Sequence, residues 1–141
     1  MTNKEKKFEL LFETLEGKRT GRKVSDHIKQ VAKDIYLGTS SHTCMDKYQG
    51  NKQVARINQL EDLLYSWMEY DPSQCLIEIQ KVLGKGDLMQ SVYLAVDTMY
   101  LEGKTACQAA RIHSTHAHNV KAANQKLVYF NKAAKEYRKL L

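Results

Sequence analysis

From Glu5 to Leu141 the apolar residues recur at steps of three and four, and nowhere do they settle into the alternation of a half-buried strand. Phe8, Leu11, Phe12 and Leu15 open the pattern, and Gly17 stops it. Ser25 can cap the next helix, which carries Ile28, Val31, Ala32 and Ile35 and ends at Gly38. Gly38 to Asn51 reads as a long polar loop. Lys52 to Tyr70 reads as a longer helix with Val54, Ile57, Leu60, Leu64, Trp67 and Met68 on its buried stripe. Asp71-Pro72 pairs a cap residue with a proline at the first helical position, and Leu76, Ile79, Val82 and Leu83 follow until Gly84-Lys85-Gly86. Asp87 then caps a helix from Leu88 to about Leu101, with Val92, Ala95, Val96 and Met99 inward. With one proline, and seven glycines that all read as helix stops, the expected fold is all-α, a multi-helix bundle.

No apolar run approaches the ~20 residues that a membrane helix needs, so no membrane partner is expected. The charged start, Met1 to Lys7, lacks the apolar stretch of a signal peptide. Cys44, Cys75 and Cys107 are an odd number without CxxC spacing, which favours reduced thiols and a cytoplasmic location. His42 and Cys44 are metal-capable, but no other pair stands at ligand spacing, so neither a metal nor a cofactor is expected.

The charge is unevenly placed. Residues 1–100 hold 14 Lys and Arg against 14 Asp and Glu, whereas residues 101–141 hold 8 against only Glu102 and Glu136. The whole net charge of +6 therefore falls in the last 41 residues, with His113, His116 and His118. Such asymmetry is the footprint of a polyanion partner, double-stranded DNA above all. The basic connector Lys18 to Lys23 could also brush phosphates, although such runs are more often solvated loops.

The same segment holds a motif. Thr105 and Gln108 are spaced as a capping box, so Ala106 to about Ile112 is a short helix. His113-Ser114-Thr115 forms a turn of the length found in a helix-turn-helix, with Ser114 where glycine is common, and a second helix starts near His116. Ala110 and Val120, ten residues apart, would let the two helices meet. With Val120 inward, His116, His118, Lys121, Ala122 and Gln125 face outward, where polar groups can bond base edges. Lys104, Arg111, Thr115 and Lys126 are placed for phosphates. His116 and His118 lie about 200° apart on a helix, which argues against a shared metal ion.

Residues 88–138, with Ala95, Asp97, Leu101, Gly103, Lys126-Leu127 and Phe130-Asn131, resemble the PapB family of fimbrial (adhesin) operon regulators. The stretch from Gly103-Lys104 to Val120 is also similar to KorA-type plasmid repressors. Both resemblances imply a DNA-binding regulator acting as an oligomer. The expected organisation is an N-terminal helical region, 1–87, for core and possible oligomerisation, and a DNA-binding region, 88–141, with a long last helix. On that helix Val120, Ala123, Leu127, Phe130, Ala134, Tyr137 and Leu141 stand at heptad spacing, which suggests a homodimer seam or a stripe docked on the N-terminal helices.

No nucleophile signature, phosphate-cradling loop or paired-acid motif is present, so an enzyme is not expected. The expected function is sequence-specific transcriptional regulation. The alternative is a helical adaptor that binds another protein through a basic surface.

Overall fold

The computed structural model describes residues 2–17, 24–39 and 44–141, with the side chain of Cys44 excepted. The connector at 18–23 and His42 of the His42/Cys44 pair lie outside the described residues. Among those residues every regular element is helical: α1 (Asn3–Glu16), α2 (Asp26–Tyr36), α3 (Cys44–Tyr65), a 3-10 turn (Trp67–Glu69), α4 (Pro72–Leu83), α5 (Gln90–Glu102), α6 (Ala106–Ile112) and α7 (Ala117–Arg138). The fold is all-α. No described helix is long and apolar enough to cross a membrane.

The chain divides into two compact units, one of residues 1–65 with 135–141 and one of residues 66–134. The division expected at 87/88 falls inside the second of these, between α4 and α5.

In the first unit Thr2 caps α1, its side chain accepting from the Glu5 amide at 3.2 Å. Phe8, Leu11, Phe12 and Leu15 are all buried, as their spacing requires. Phe8 stacks on Phe12 with ring centroids 5.8 Å apart and meets the Tyr36 ring at 5.6 Å. Ser25 caps α2 by accepting from the Ile28 amide at 3.3 Å. Lys29 and Lys33 reach Glu9 on α1 at 2.9 and 3.2 Å. Burial works against the Glu9 carboxylate, but hydrogen bonds and charge from these two lysines outweigh it and hold the group below its ordinary range.

The polar loop expected from Gly38 to Asn51 is largely helix, because α3 already begins at Cys44. Gly50 lies inside it and is buried rather than acting as a stop. A Cβ on Gly50 would stand 2.6 Å from Val31 Cγ1 and 2.8 Å from Ile35 Cδ1, so its bare backbone is what lets α2 and α3 approach. Further along α3, Glu61 Oε2 accepts from Tyr36 at 2.9 Å and from Tyr137, in the C-terminal segment, at 3.1 Å. Lys7 lies 5.7 Å from the centroid of the Tyr137 ring. One carboxylate thus ties together α2, α3 and the last residues of the chain.

In the second unit α4 begins at Pro72 as expected, but the Asp71 side chain makes no capping bond. The Ser73 amide donates instead to Asp97 Oδ1 of α5 at 2.9 Å, so the cap comes from a neighbouring helix. Asp87 does not cap α5 either; the helix starts at Gln90, after an extended Met89. The Leu88 amide donates to the Tyr93 hydroxyl at 3.1 Å, which anchors the loop before α5. Gln80 is buried with both ends of its amide used: Nε2 donates to the Gly86 carbonyl at 2.7 Å, and Oε1 accepts from Lys126 at 2.9 Å. Trp67 is buried and stacks on Phe130 of α7 at 6.2 Å with planes 15° apart. Met68, expected on the same stripe, is 82% exposed, because the 3-10 turn shifts the register after Tyr65.

Candidate nucleic-acid interface

The segment from Gly103 to the middle of α7 is built as its sequence dictates. Gly103 closes α5 in the left-handed region, at φ 66°. Thr105 then accepts from the Gln108 amide at 3.2 Å, while the Gln108 side chain accepts from the Thr105 amide at 3.0 Å. This reciprocal pair satisfies two amides that the start of α6 would otherwise leave open. At the other end the Thr115 amide donates to the Ala110 carbonyl at 2.9 Å and the Ser114 amide to Arg111 at 3.4 Å. These two bonds form a Schellman closure, whose turning residue normally needs a left-handed backbone. Ser114 supplies it with φ 53°, the single described non-glycine residue at positive φ. A serine here therefore does a glycine's work, at some steric cost.

His113 fixes the turn to the body of the unit. Its Nε2 lies 2.7 Å from the Thr98 hydroxyl of α5, and that hydroxyl donates to the Leu94 carbonyl at 3.0 Å. With the hydroxyl proton directed at Leu94, an imidazole that carries its hydrogen on Nε2 completes the pair by donating to Thr98 Oγ1. A polar residue at this position thus takes over an anchoring task that an apolar one would perform by packing. The α7 helix then begins at Ala117, one residue beyond the expected start, with Asn119 and Val120 amides donating to the His116 carbonyl.

Ala109, Ala110, Val120 and Ala123 are buried. α6 packs against α5, which its small buried residues allow. Farther along, Leu127, Phe130 and Ala134 of the heptad stripe are buried in the second unit and Tyr137 in the first, whereas Leu141 is exposed. From Val120 to Tyr137 the residues of the stripe are thus buried within a single chain.

Of the eight residues expected at a DNA interface, Lys104, Arg111, His116, His118, Lys121 and Gln125 are exposed. None of these six side chains has a hydrogen bond or ion pair among the described residues. Lys121, Gln125 and His118 fall within an arc of about 60° on α7, opposite the buried stripe. The other two are placed differently. Thr115 is half-buried, and its hydroxyl is shielded from solvent with no hydrogen-bond partner among the described residues. Lys126 is half-buried and donates to Gln80; burial, then the nearby Lys85, lowers its ammonium below the usual lysine range. A phosphate at Lys126 would have to displace its bond to Gln80, and the Thr115 hydroxyl faces inward, away from any such ligand.

A further cation escapes a reading confined to the first turns of the helix. Lys132 is exposed and lies eleven residues beyond Lys121, which on a helix is three turns and about 16 Å along the same face. The eleven-residue interval was the signal that could have found it. Between Glu102 and Glu136 the sequence has no carboxylate at all, so this segment carries no acidic counter-charge of its own. Fixed cations on a helix face without internal partners can neutralise phosphates spaced along a duplex backbone. No protein-family model, characterised protein or solved structure matches the chain.

Proposed function

We propose that the chain is a sequence-specific DNA-binding regulator of transcription, acting in the cytoplasm, with α6, the 113–116 turn and α7 serving as a helix-turn-helix. The observation that carries this reading is the exposed set Lys104, Arg111, His116, His118, Lys121 and Gln125, without hydrogen-bond or ion-pair partners among the described residues, on a carboxylate-free stretch of sequence. In this reading Lys121 and Gln125, with His118, enter the major groove, where lysine donates to guanine and glutamine pairs with adenine. Lys104, Arg111 and Lys132 contact the flanking phosphates and set register without reading sequence. The resemblance to PapB-type and KorA-type regulators belongs to the same proposal, as does assembly into a homodimer or higher oligomer.

A selection from randomised duplexes, followed by binding titrations across salt concentration, tests it. Three phosphate-directed cations per chain give a log–log salt slope of about −2.7. Lys104→Ala should flatten that slope by about 1 on every sequence, whereas Lys121→Ala or Gln125→Ala should cost about 1–3 kcal/mol on the selected sequence alone. Failure to enrich any sequence, together with a flat salt response, would remove the DNA reading.

The adaptor reading keeps one observation in its favour. Leu94 and Leu101 lie two turns apart on α5, both exposed, and Ile112 of α6 is exposed as well. A protein partner, including a second copy of the chain, would have such residues to cover. Leu94→Ser with Leu101→Ser should abolish self-association in sedimentation if a second copy covers them.

A further inference from the structure

Trp67 is the chain's one tryptophan, and it forms part of the wall of a pocket of about 240 Å3 in the second unit. Tyr70 and Tyr100 add aromatic surface, Cys75 and Leu127 form the buried floor, and Val128, 56% exposed, stands at the mouth. No charged side chain lines it. The floor is firmly held: one face of Trp67 is taken by Phe130, and the Cys75 thiol points at the Trp67 and Tyr70 carbonyls, 3.9 and 3.8 Å away. Burial, then the carboxylates of Asp71 and Glu78, push that thiol up to about 11, so the field at the floor disfavours negative charge.

Size and lining together restrict the occupant. An engineered apolar cavity of about 150 Å3 stays dry and takes up benzene. A pocket half as large again, walled by three aromatic rings, suits two fused rings that can lie offset or edge-on against them. A charged ligand would lose its hydration with no counter-ion in the lining. The Asn131 side chain, at the rim, can bond one polar substituent. We propose that this pocket binds a small uncharged aromatic molecule of about two fused rings. The occupant would rest on Leu127 and Val128 of α7, three residues or fewer beyond Gln125, beside the 2.6 Å bond from the Tyr100 hydroxyl to Asn124 of the same helix. The binding proposal stands whether or not α7 reads DNA.

Because Trp67 is the only tryptophan, its emission reports on the pocket without labelling. Titrating the full chain with 1-aminonaphthalene, and following energy transfer from Trp67, should give saturable binding with a dissociation constant on the order of 100 µM or tighter. Val128→Phe sets a ring across the mouth and should weaken binding about tenfold or more, with helical circular dichroism unchanged. Tyr100→Ala removes one wall and should weaken it as well, which keeps the test decisive if either variant folds poorly. 1-Naphthoate, with the same rings and a negative charge, and tetramethylammonium, an aromatic-cage cation, should each bind about tenfold or more weakly than 1-aminonaphthalene. No saturable signal up to the solubility limit, equal affinity in both folded variants, or tighter binding of either ion would overturn the proposal.

Discussion

Replacing Gly50 by alanine adds one methyl group at the closest approach of α2 to α3. The new Cβ would sit 2.6 Å from Val31 Cγ1 and 2.8 Å from Ile35 Cδ1. The isoleucine contact is with the far end of a flexible chain and can swing aside. The valine contact cannot, because Val31 is fully buried and a β-branched side chain in a helix has essentially one rotamer. Overpacking of this kind costs about 1–3 kcal/mol. Alanine regains about 1 kcal/mol over glycine in a helix interior. Since the backbones must part by more than half an ångström to restore ordinary contact, the steric cost belongs in the upper half of that range, about 2–3 kcal/mol, leaving a net loss of roughly 1–2 kcal/mol. In a urea titration followed by circular dichroism, with a slope near ~2 kcal/mol/M, the midpoint falls by roughly 0.5–1 M. Pairing the change with Val31→Ala should recover about 1 kcal/mol relative to the sum of the single variants. A Gly50→Ala chain as stable as the parent, or more so, would refute the argument: helix propensity would then be the whole effect, and α2 would not lie against this glycine.

Three further outcomes follow from other residues. Ser114→Gly removes a left-handed strain of about 1–2 kcal/mol while adding about 0.4–1 kcal/mol of freedom to the unfolded chain, so a net gain of roughly 0.5–1 kcal/mol should appear as a higher melting temperature; a fall would contradict the turn geometry. Burial first, and then Glu61, raise the phenols of Tyr36 and Tyr137, the latter to about 12. Unfolded phenols lose their protons from pH ~10, so the folded state, which retains them, loses stability as pH rises from there towards the folded values. Glu61→Gln should lessen that alkaline loss, and an unaltered profile would mean that the two hydroxyls do not share the carboxylate. If His116 and His118 lie at the DNA interface, changing both to alanine should weaken binding to the selected sequence by about tenfold or more with helical circular dichroism unchanged; unaltered affinity in that variant would exclude both residues from the interface.

The legible parts of the sequence are those in which side chain and backbone act locally. The Thr105/Gln108 capping box, the Ser25 cap and the burial of Phe8 to Leu15 depend on residues within one or two turns, so spacing alone carries them. The unreadable parts turn on partners distant in sequence. Nothing near Asp71 announces that Asp97 will cap α4, or that Lys126 will be spent on Gln80 rather than presented to solvent. Gly50 is the sharpest case. Locally it breaks a helix, and only the nearness of Val31 and Ile35 turns its missing side chain into an asset. At the candidate interface the exposed face of α7 was readable from helical period, whereas the inward turn of Thr115 and the anchoring of His113 to Thr98 required the neighbouring helix.

The carboxylate of Glu61 joins residues laid down at very different times. Glu61 follows Tyr36 by 25 residues with only chain of the first unit between them, but Tyr137 comes only after residues 66–134, which form a compact unit of their own. At ordinary rates of synthesis that interval is about 3–14 s. For that time one phenol acceptor of the first unit faces water, and the Lys7 ammonium lacks its ring. The inserted unit, continuous in sequence, can fold without waiting. By folding it shortens the effective loop that must close before residues 135–141 reach α3, which lowers the entropic cost of the final step. The nascent chain would then mature from its middle outward, with the first helices made being the last to be completed.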